Sequence, residues 1–195
     1  MNTGRADVLD RYQVPRHRLT VSAYHHLAQA GILSGDDRVE LLEGQLVDMS
    51  PIGPRHALAV DALVQLLVPV VTGHGWVRVQ NPVALDDNTE PHPDITVVRH
   101  PWRGYPAAHP GPEDIFLLLE VADTSLAIDS GAKLELYARA GIREFWIIDL
   151  TNDVVQVHRG PGAGMYASLS RIDPSGILRI EGLPGISIPA APLFT

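Results

Sequence analysis

Two continuous apolar runs, 115–121 and 144–149, leave the chain between them few choices. Strand side chains alternate between faces, so a strand that is apolar at nearly every position must be covered on both sides. The segment between them, 129–140, has helical spacing, with Leu134, Leu136, Tyr137 and Ala140 apolar and Glu135 and Arg139 charged. A strand, a helix and a strand at this separation favour a right-handed crossover to a parallel neighbour. A sheet buried on both faces is the frame into which everything else must fit.

Other elements can be read around that frame. A helix is predicted from Thr20, as its N-cap, to Gly31. The stretch "DRVELLEGQLVDMS" (37–50) reads as a hairpin, with strands 38–43 and 45–49 around a turn at Glu43 and Gly44. A second helix follows Pro54 and ends at Gly73, its apolar face marked by Val60, Leu63, Val64 and Leu67. Strand 76–80, a loop "DDNTE" and a strand after Asp94 come next, and short strands near 153–158, 165–169 and 177–181 precede the Pro-rich end. Residues 1–18 are expected to form a flexible leader, and 19–195 one domain. The segment 99–113 is too rich in Pro and Gly for a regular element. It reads either as a binding loop, with Trp102, Arg103 and Tyr105 available to stack or meet phosphate, or as a surface insertion.

Composition narrows the function. The chain has 195 residues, is 45% apolar and contains no cysteine, which excludes disulfides, thiolate zinc sites and a cysteine nucleophile. No apolar run approaches the roughly 18 residues that span a bilayer, and the N-terminus lacks the apolar core of a signal peptide. A soluble, cytoplasmic protein with no membrane partner is expected. With 15 basic and 23 acidic residues the net charge is −8, and no basic block marks a nonspecific nucleic-acid surface. Catalytic carboxylates are themselves acidic, and a bound cation reverses the local field, so the balance does not exclude a nuclease. Phosphate-loop, dinucleotide-binding, HExxH and GxSxG motifs are absent. His25, His26 and the "HPGP" segment are too sparse to read as a zinc set.

Charged residues inside the apolar frame are the informative ones. Glu120 is the only charge near the end of its strand and faces away from Leu119 and Val121. An unpaired carboxylate there costs several kcal/mol, so a cation or hydrogen-bond donors must meet it. Asp94 follows "PHP", which fixes an extended start to its strand. If the two strands are neighbours, the two acids converge to about 5 Å, and a divalent ion resolves their repulsion. Lys133 lies about 200° around its helix from Glu135, toward the buried side, one turn from Tyr137. Its expected partners are the two acids; the alternatives are Asp129 at i−4 or the rim of the protein. Of Glu40 and Glu43, one is expected to join the site and the other to be a turn carboxylate. His56 faces the apolar side of its helix, available to contact substrate or to bond a backbone carbonyl. Two strand acids and a lysine suit a metal-dependent phosphodiesterase site.

The segments "VELLEGQLVDMSPIGPRH" (39–56), "PHPDITVV" (91–98), "LLLEVADTSLAIDSGAKLELYARAGIREFWIID" (117–149) and "LPGISI" (183–188) resemble the Uma-two family, restriction-endonuclease-like proteins of the PD-(D/E)XK nuclease superfamily. The resemblance covers nearly the whole chain beyond residue 18. It implies an α/β (mixed α+β) fold: a mixed sheet flanked by helices, with an N-terminal helix and hairpin. It further implies Asp94 and Glu120 as acids on adjacent strands and Lys133 as the lysine, moved from its usual place two residues after the second acid, where this chain has Ala122. Glu40, His56 and Gln80 correspond to the hairpin glutamate, the helix histidine and the polar residue before the Pro-Asp strand. With Tyr137 they complete the expected site. The segment after Glu120 departs from the family's "SPST", reading "ADTS".

The resulting expectation is an endonuclease acting on nucleic acid, DNA above all. Asp94 and Glu120 would hold Mg²⁺ or Mn²⁺, and the protein would act as a homodimer whose two-fold pairing builds a groove. The alternative is a degenerate member that kept the fold as a binding or assembly module; hydrolysis of another phosphate ester is a third reading.

Overall fold

The computed structural model describes residues 11–12, 14–34, 36–99 and 108–194. Thr20, in extended conformation, caps helix α1 (Val21–Gln29): its Oγ1 accepts a hydrogen bond from the Ala23 N–H at 3.1 Å. That satisfies one of the donors a helix start leaves open. Glu43 and Gly44 both take positive φ, 48° and 76°, as a tight turn between antiparallel strands requires. They join β1 (Val39–Leu42) to β2 (Gln45–Asp48), with Glu40 across from Val47.

Pro54 opens α2 (Pro54–Val71) at the position where its missing N–H costs nothing. Strands β3 (Gly75–Val79), β4 (Ile95–Arg99), β5 (Ile115–Ala122), β6 (Glu144–Asp149), β7 (Val154–Gly162) and β8 (Met165–Ile172) form one six-stranded sheet in chain order. Only β5 and β6 run parallel, joined by the expected helical crossover; every other neighbour pair is antiparallel. Between β5 and β6 the chain forms α3 (Leu126–Ile128), a π-helical turn (Asp129–Lys133) and α4 (Leu134–Ala140). Gly141, at φ 83°, ends α4 in the left-handed conformation that glycine adopts without strain. A small ladder of β9 (Ile177–Arg179) and β10 (Ser187–Pro189) closes the chain.

The centre of the sheet, at β5 and β6, is covered on both faces, as strands apolar at nearly every position require. On one side Ala59, Leu63, Leu67 and Val71 of α2 meet Leu117, Leu119, Trp146 and Ile148, with Leu178, Ile188 and Leu193 of the tail completing the layer. On the other, Leu118, Ala122, Phe145 and Ile147 pack with Tyr137 and Ile142. Each fully buried Leu or Ile contributes roughly 1.5–3 kcal/mol, so the central strands anchor whatever polar groups they carry.

Several boundaries differ from the sequence reading. The crossover helix starts at Leu126 rather than 129 and widens to a π turn, which the apolar period does not reveal. Strand 76–80 stops at Val79 because Gln80 takes φ 49° and turns the chain away. The β7–β8 hairpin is longer than expected, and the Pro-rich tail contributes β10. Pro112–Asp114 forms a 3₁₀ turn across the end of the expected 99–113 loop. Residues 100–107, with Trp102, Arg103 and Tyr105, lie outside the described residues, as does most of the expected leader. Helix α2 corrects a further expectation: at 18 residues and mean hydropathy 1.3 it is long and apolar enough to cross a membrane by length and composition. Its buried positions Ala59, Val60, Leu63, Leu67 and Val71 are the stripe that packs on the sheet.

Candidate active site

Asp94 and Glu120 meet because of strand register. Ile95 pairs with Leu119, so one further step along this antiparallel ladder sets Asp94 across from Glu120. Ile95, Val97, Leu119 and Val121 point toward α2, and Glu120 projects with Leu118 and Ala122 to the other side, while the Asp94 carboxylate at the strand end reaches His56 of α2. Both acids are buried, Glu120 at 4% exposure, and both line a cleft of about 810 Å³, counting its open mouth. The hairpin β1–β2, the start of α2, the end of β5 and the π turn form its walls.

Each acid is held by several groups. Asp94 Oδ2 accepts the Val121 N–H at 2.8 Å, and its Oδ1 lies 2.9 Å from His56 Nε2 and 3.4 Å from the donating Gln80 amide. Glu120 Oε1 accepts from Tyr137 O–H at 2.7 Å and from Lys133 Nζ at 3.1 Å. Glu40, buried on β1, places Oε1 3.2 Å from Lys133 Nζ and receives the His92 backbone N–H on Oε2 at 3.1 Å. Lys133, 7% exposed, thus bridges two carboxylates from different elements. Lys133 is not at the rim, and its ion pairs are to Glu120 and Glu40, with Asp129 acting on it by charge alone. Glu43 pairs instead with Arg139 at 2.7 Å on the surface, so Glu40 is the hairpin acid of the cleft. His56 bonds a carboxylate rather than a backbone carbonyl.

Electrostatics follow from this crowding. Burial pushes the Glu120 carboxyl up to about 8; Lys133 opposes the shift, while Asp129, Asp94 and Glu40 reinforce it. Burial works against the Lys133 charge, but Glu120, Glu40 and Asp129 outweigh it and hold its pKa above the ordinary lysine value. The hydrogen bond to Asp94 raises His56 against the opposing effect of burial. Three acids, Glu120, Glu40 and Asp129, thus act on the Lys133 ammonium, and Asp94 lines the same cleft. Such an oxygen-rich set suits a hard divalent cation, with Asp94 and Glu120 as the pair able to hold it and waters completing the shell.

The site thus has one acid just ahead of β4, one on β5, and a lysine held against the second, all at one end of a mixed sheet. The chain belongs to the Uma2 family, described as "Putative restriction endonuclease", whose model matches residues 21–191. Its fold is similar to the crystal structure of "a putative nuclease belonging to DUF820" from Anabaena variabilis. The TM-score is 0.70 at 16% identity, covering 90% of this chain and 97% of that one. No curated protein matches the sequence.

Sequence reasoning missed Asp129 as a group of the cleft. It is buried, burial pushes its carboxyl up to about 6, and its Oδ2 accepts the Ser125 hydroxyl at 2.5 Å. Its place four residues before Lys133 was the available signal. The π turn keeps both side chains buried along the cleft, a local irregularity common at functional sites. His92 was also missed: it lines the cleft, and burial lowers its pKa. Ala122, where the superfamily lysine would stand, is fully buried in the apolar layer under Tyr137.

Proposed function

We propose that this chain is a divalent-metal-dependent nuclease that hydrolyses phosphodiester bonds, with DNA as its substrate. The observation that carries the reading is that Asp94, one residue ahead of β4, and Glu120 of β5 both line the cleft, with Lys133 locked to Glu120. Asp94 and Glu120 would hold Mg²⁺ or Mn²⁺, which when bound polarises a phosphate oxygen and lowers the pKa of a coordinated water. Hydrogen bonds from Val121 and His56 fix Asp94 so that its carboxylate does not reorganise when charge develops. Tyr137 and Lys133 fix Glu120 through one oxygen and leave Oε2 without a donor among the described residues. Lys133 sets positive charge against the reacting phosphate, and Glu40 holds the lysine from the opposite side.

Ala122 favours a second reading, a fold that binds without turnover, because a buried methyl group stands where the superfamily places its lysine. Cleavage assays separate the two. Purified chain is incubated with plasmid, linear duplex and single-stranded DNA in Mg²⁺ or Mn²⁺, beside Glu120→Gln of unchanged circular dichroism. Cleavage by the wild type and none by Glu120→Gln is expected; wild-type rates in the variant contradict the proposal.

A further inference from the structure

We propose a second metal site, for a borderline divalent cation of the zinc class, formed by His25, Glu90 and His109 outside the acid cleft. Each residue offers one ligand atom, and these three atoms lie within 4.8 Å of one another. No other His, Asp or Glu group of three among the described residues comes so close. His25 Nε2 is 2.7 Å from Glu90 Oε1, and the two imidazole rings stand edge to face with centroids 6.0 Å apart. The three residues come from α1, from the end of the "DDNTE" loop and from the segment before β5, so no local spacing brings them together.

The site is built rather than a chance meeting of surface chains. Glu90 is 2% exposed, and its backbone is fixed by donation from the Glu90 N–H to the Leu41 carbonyl at 2.7 Å. Helix α1 is tied to the same loop through the Val21 N–H on the Asp87 carbonyl at 2.8 Å and the Asn88 amide on the Leu19 carbonyl at 2.7 Å. The residue after His109 is pinned by the Ala84 N–H, which donates to the Pro110 carbonyl at 3.0 Å. Three backbones held this way present two imidazoles to one buried carboxylate.

The donor chemistry selects the ion. Two imidazoles and a carboxylate match the three-ligand set that zinc accepts with a water in the fourth position, whereas magnesium prefers an all-oxygen shell. Ligand atoms around a tetrahedral zinc are about 3.4 Å apart, given bonds of about 2.0–2.1 Å. The His25–Glu90 contact would open slightly and the longest separation would close. The His25 side chain is 43% exposed and His109 partly so, which leaves them room to rotate and leaves the fourth position open to solvent. The ion would staple α1 to the stretch leading into Asp94. Two residues beyond Glu90, His92 already donates its N–H to Glu40 in the cleft.

The test is calorimetric titration of Zn²⁺ into the full chain, with Co²⁺ absorption as a second readout of coordination geometry. His25→Ala, His109→Gln and the cleft variant Asp94→Asn/Glu120→Gln are titrated in parallel. Both histidine changes are at partly exposed positions, and circular dichroism checks their folding. The expected result is a Zn²⁺ ion that the cleft variant retains. Each histidine variant should weaken it by more than about tenfold and lose the visible bands of tetrahedral Co²⁺. A folded wild type that takes up no Zn²⁺, or Zn²⁺ binding unchanged in both histidine variants, overturns the site. Binding lost only in the cleft variant assigns the ion to the acids and likewise overturns it.

Discussion

Lys133 and Glu120 illustrate why buried charges inform function more than they support stability. Lys133 bridges Glu120 and Glu40 across 3.1 and 3.2 Å with little solvent contact. Removing one partner of such a group leaves the others desolvated and uncompensated, at a cost of about 3–5 kcal/mol. Lys133→Met should therefore lower the unfolding free energy of the metal-free protein by that order, read as a lower urea midpoint; a midpoint equal to wild type would show that the bridge does not hold the acids. The pH dependence tests the same crowding. Glu120 ordinarily titrates near 4.5 and is raised to about 8 in the fold, so over that interval the folded chain binds the extra proton. Stability then falls as pH rises, since the unfolded chain binds fewer protons. Burial depresses His92, His109 and His158, giving the opposite slope, but only below about 6.5, where the unfolded histidines still titrate. Between about pH 6.5 and 8 the raised Glu120 and His56 act together. Metal-free protein should lose stability across that window, and saturating Mg²⁺ should flatten the slope. Urea denaturation at several pH values checks this; stability rising with pH across the window contradicts it.

At the scale of elements, the hairpin β1–β2 delivers Glu40, and its turn has little tolerance. Gly44 sits at φ +76°, and an added Cβ would lie 2.5 Å from Arg18 Cβ and 3.0 Å from the Leu19 nitrogen. Gly44→Ala combines a left-handed strain of about 1–3 kcal/mol with this clash. Each kcal/mol lost lowers Tm by about 2–4 °C in a chain of this size. A clear fall in Tm is expected by calorimetry, and an unchanged Tm would mean the hairpin is not anchored as described. Most elements were legible because their signals are local: Thr20 as a cap, Pro54 at a helix start, Glu43–Gly44 as a turn, and nearly continuous apolar runs in β5 and β6. The π turn at Asp129–Lys133 was not, since Asp-Ser-Gly-Ala-Lys carries almost no apolar side chain whose phase could reveal the shift. Strand β10 was hidden by prolines, which are tolerated here in a short ladder of two strands.

Across the whole molecule, what the sequence could not show is which distant residues meet. Glu120 announced itself because a charge in an apolar strand demands a partner, and Lys133 because its helix face points inward. Glu40 could be narrowed only to one of two hairpin acids, and His56 carried no sign that Asp94 was its partner. His25, Glu90 and His109 converge only through packing of three separate stretches, so their wide spacing argued against a ligand set that folding then brings together. With a net charge of −8 and no basic block in the sequence, the proposed nuclease would rely on a bound cation to meet phosphate. The most direct measurement is therefore calorimetric titration of Mn²⁺ and Mg²⁺ into the wild type and Glu120→Gln. Binding to the wild type that disappears in the variant is expected. A folded wild type that binds neither ion, or a variant that binds both as tightly, would contradict a metal centre at Asp94 and Glu120.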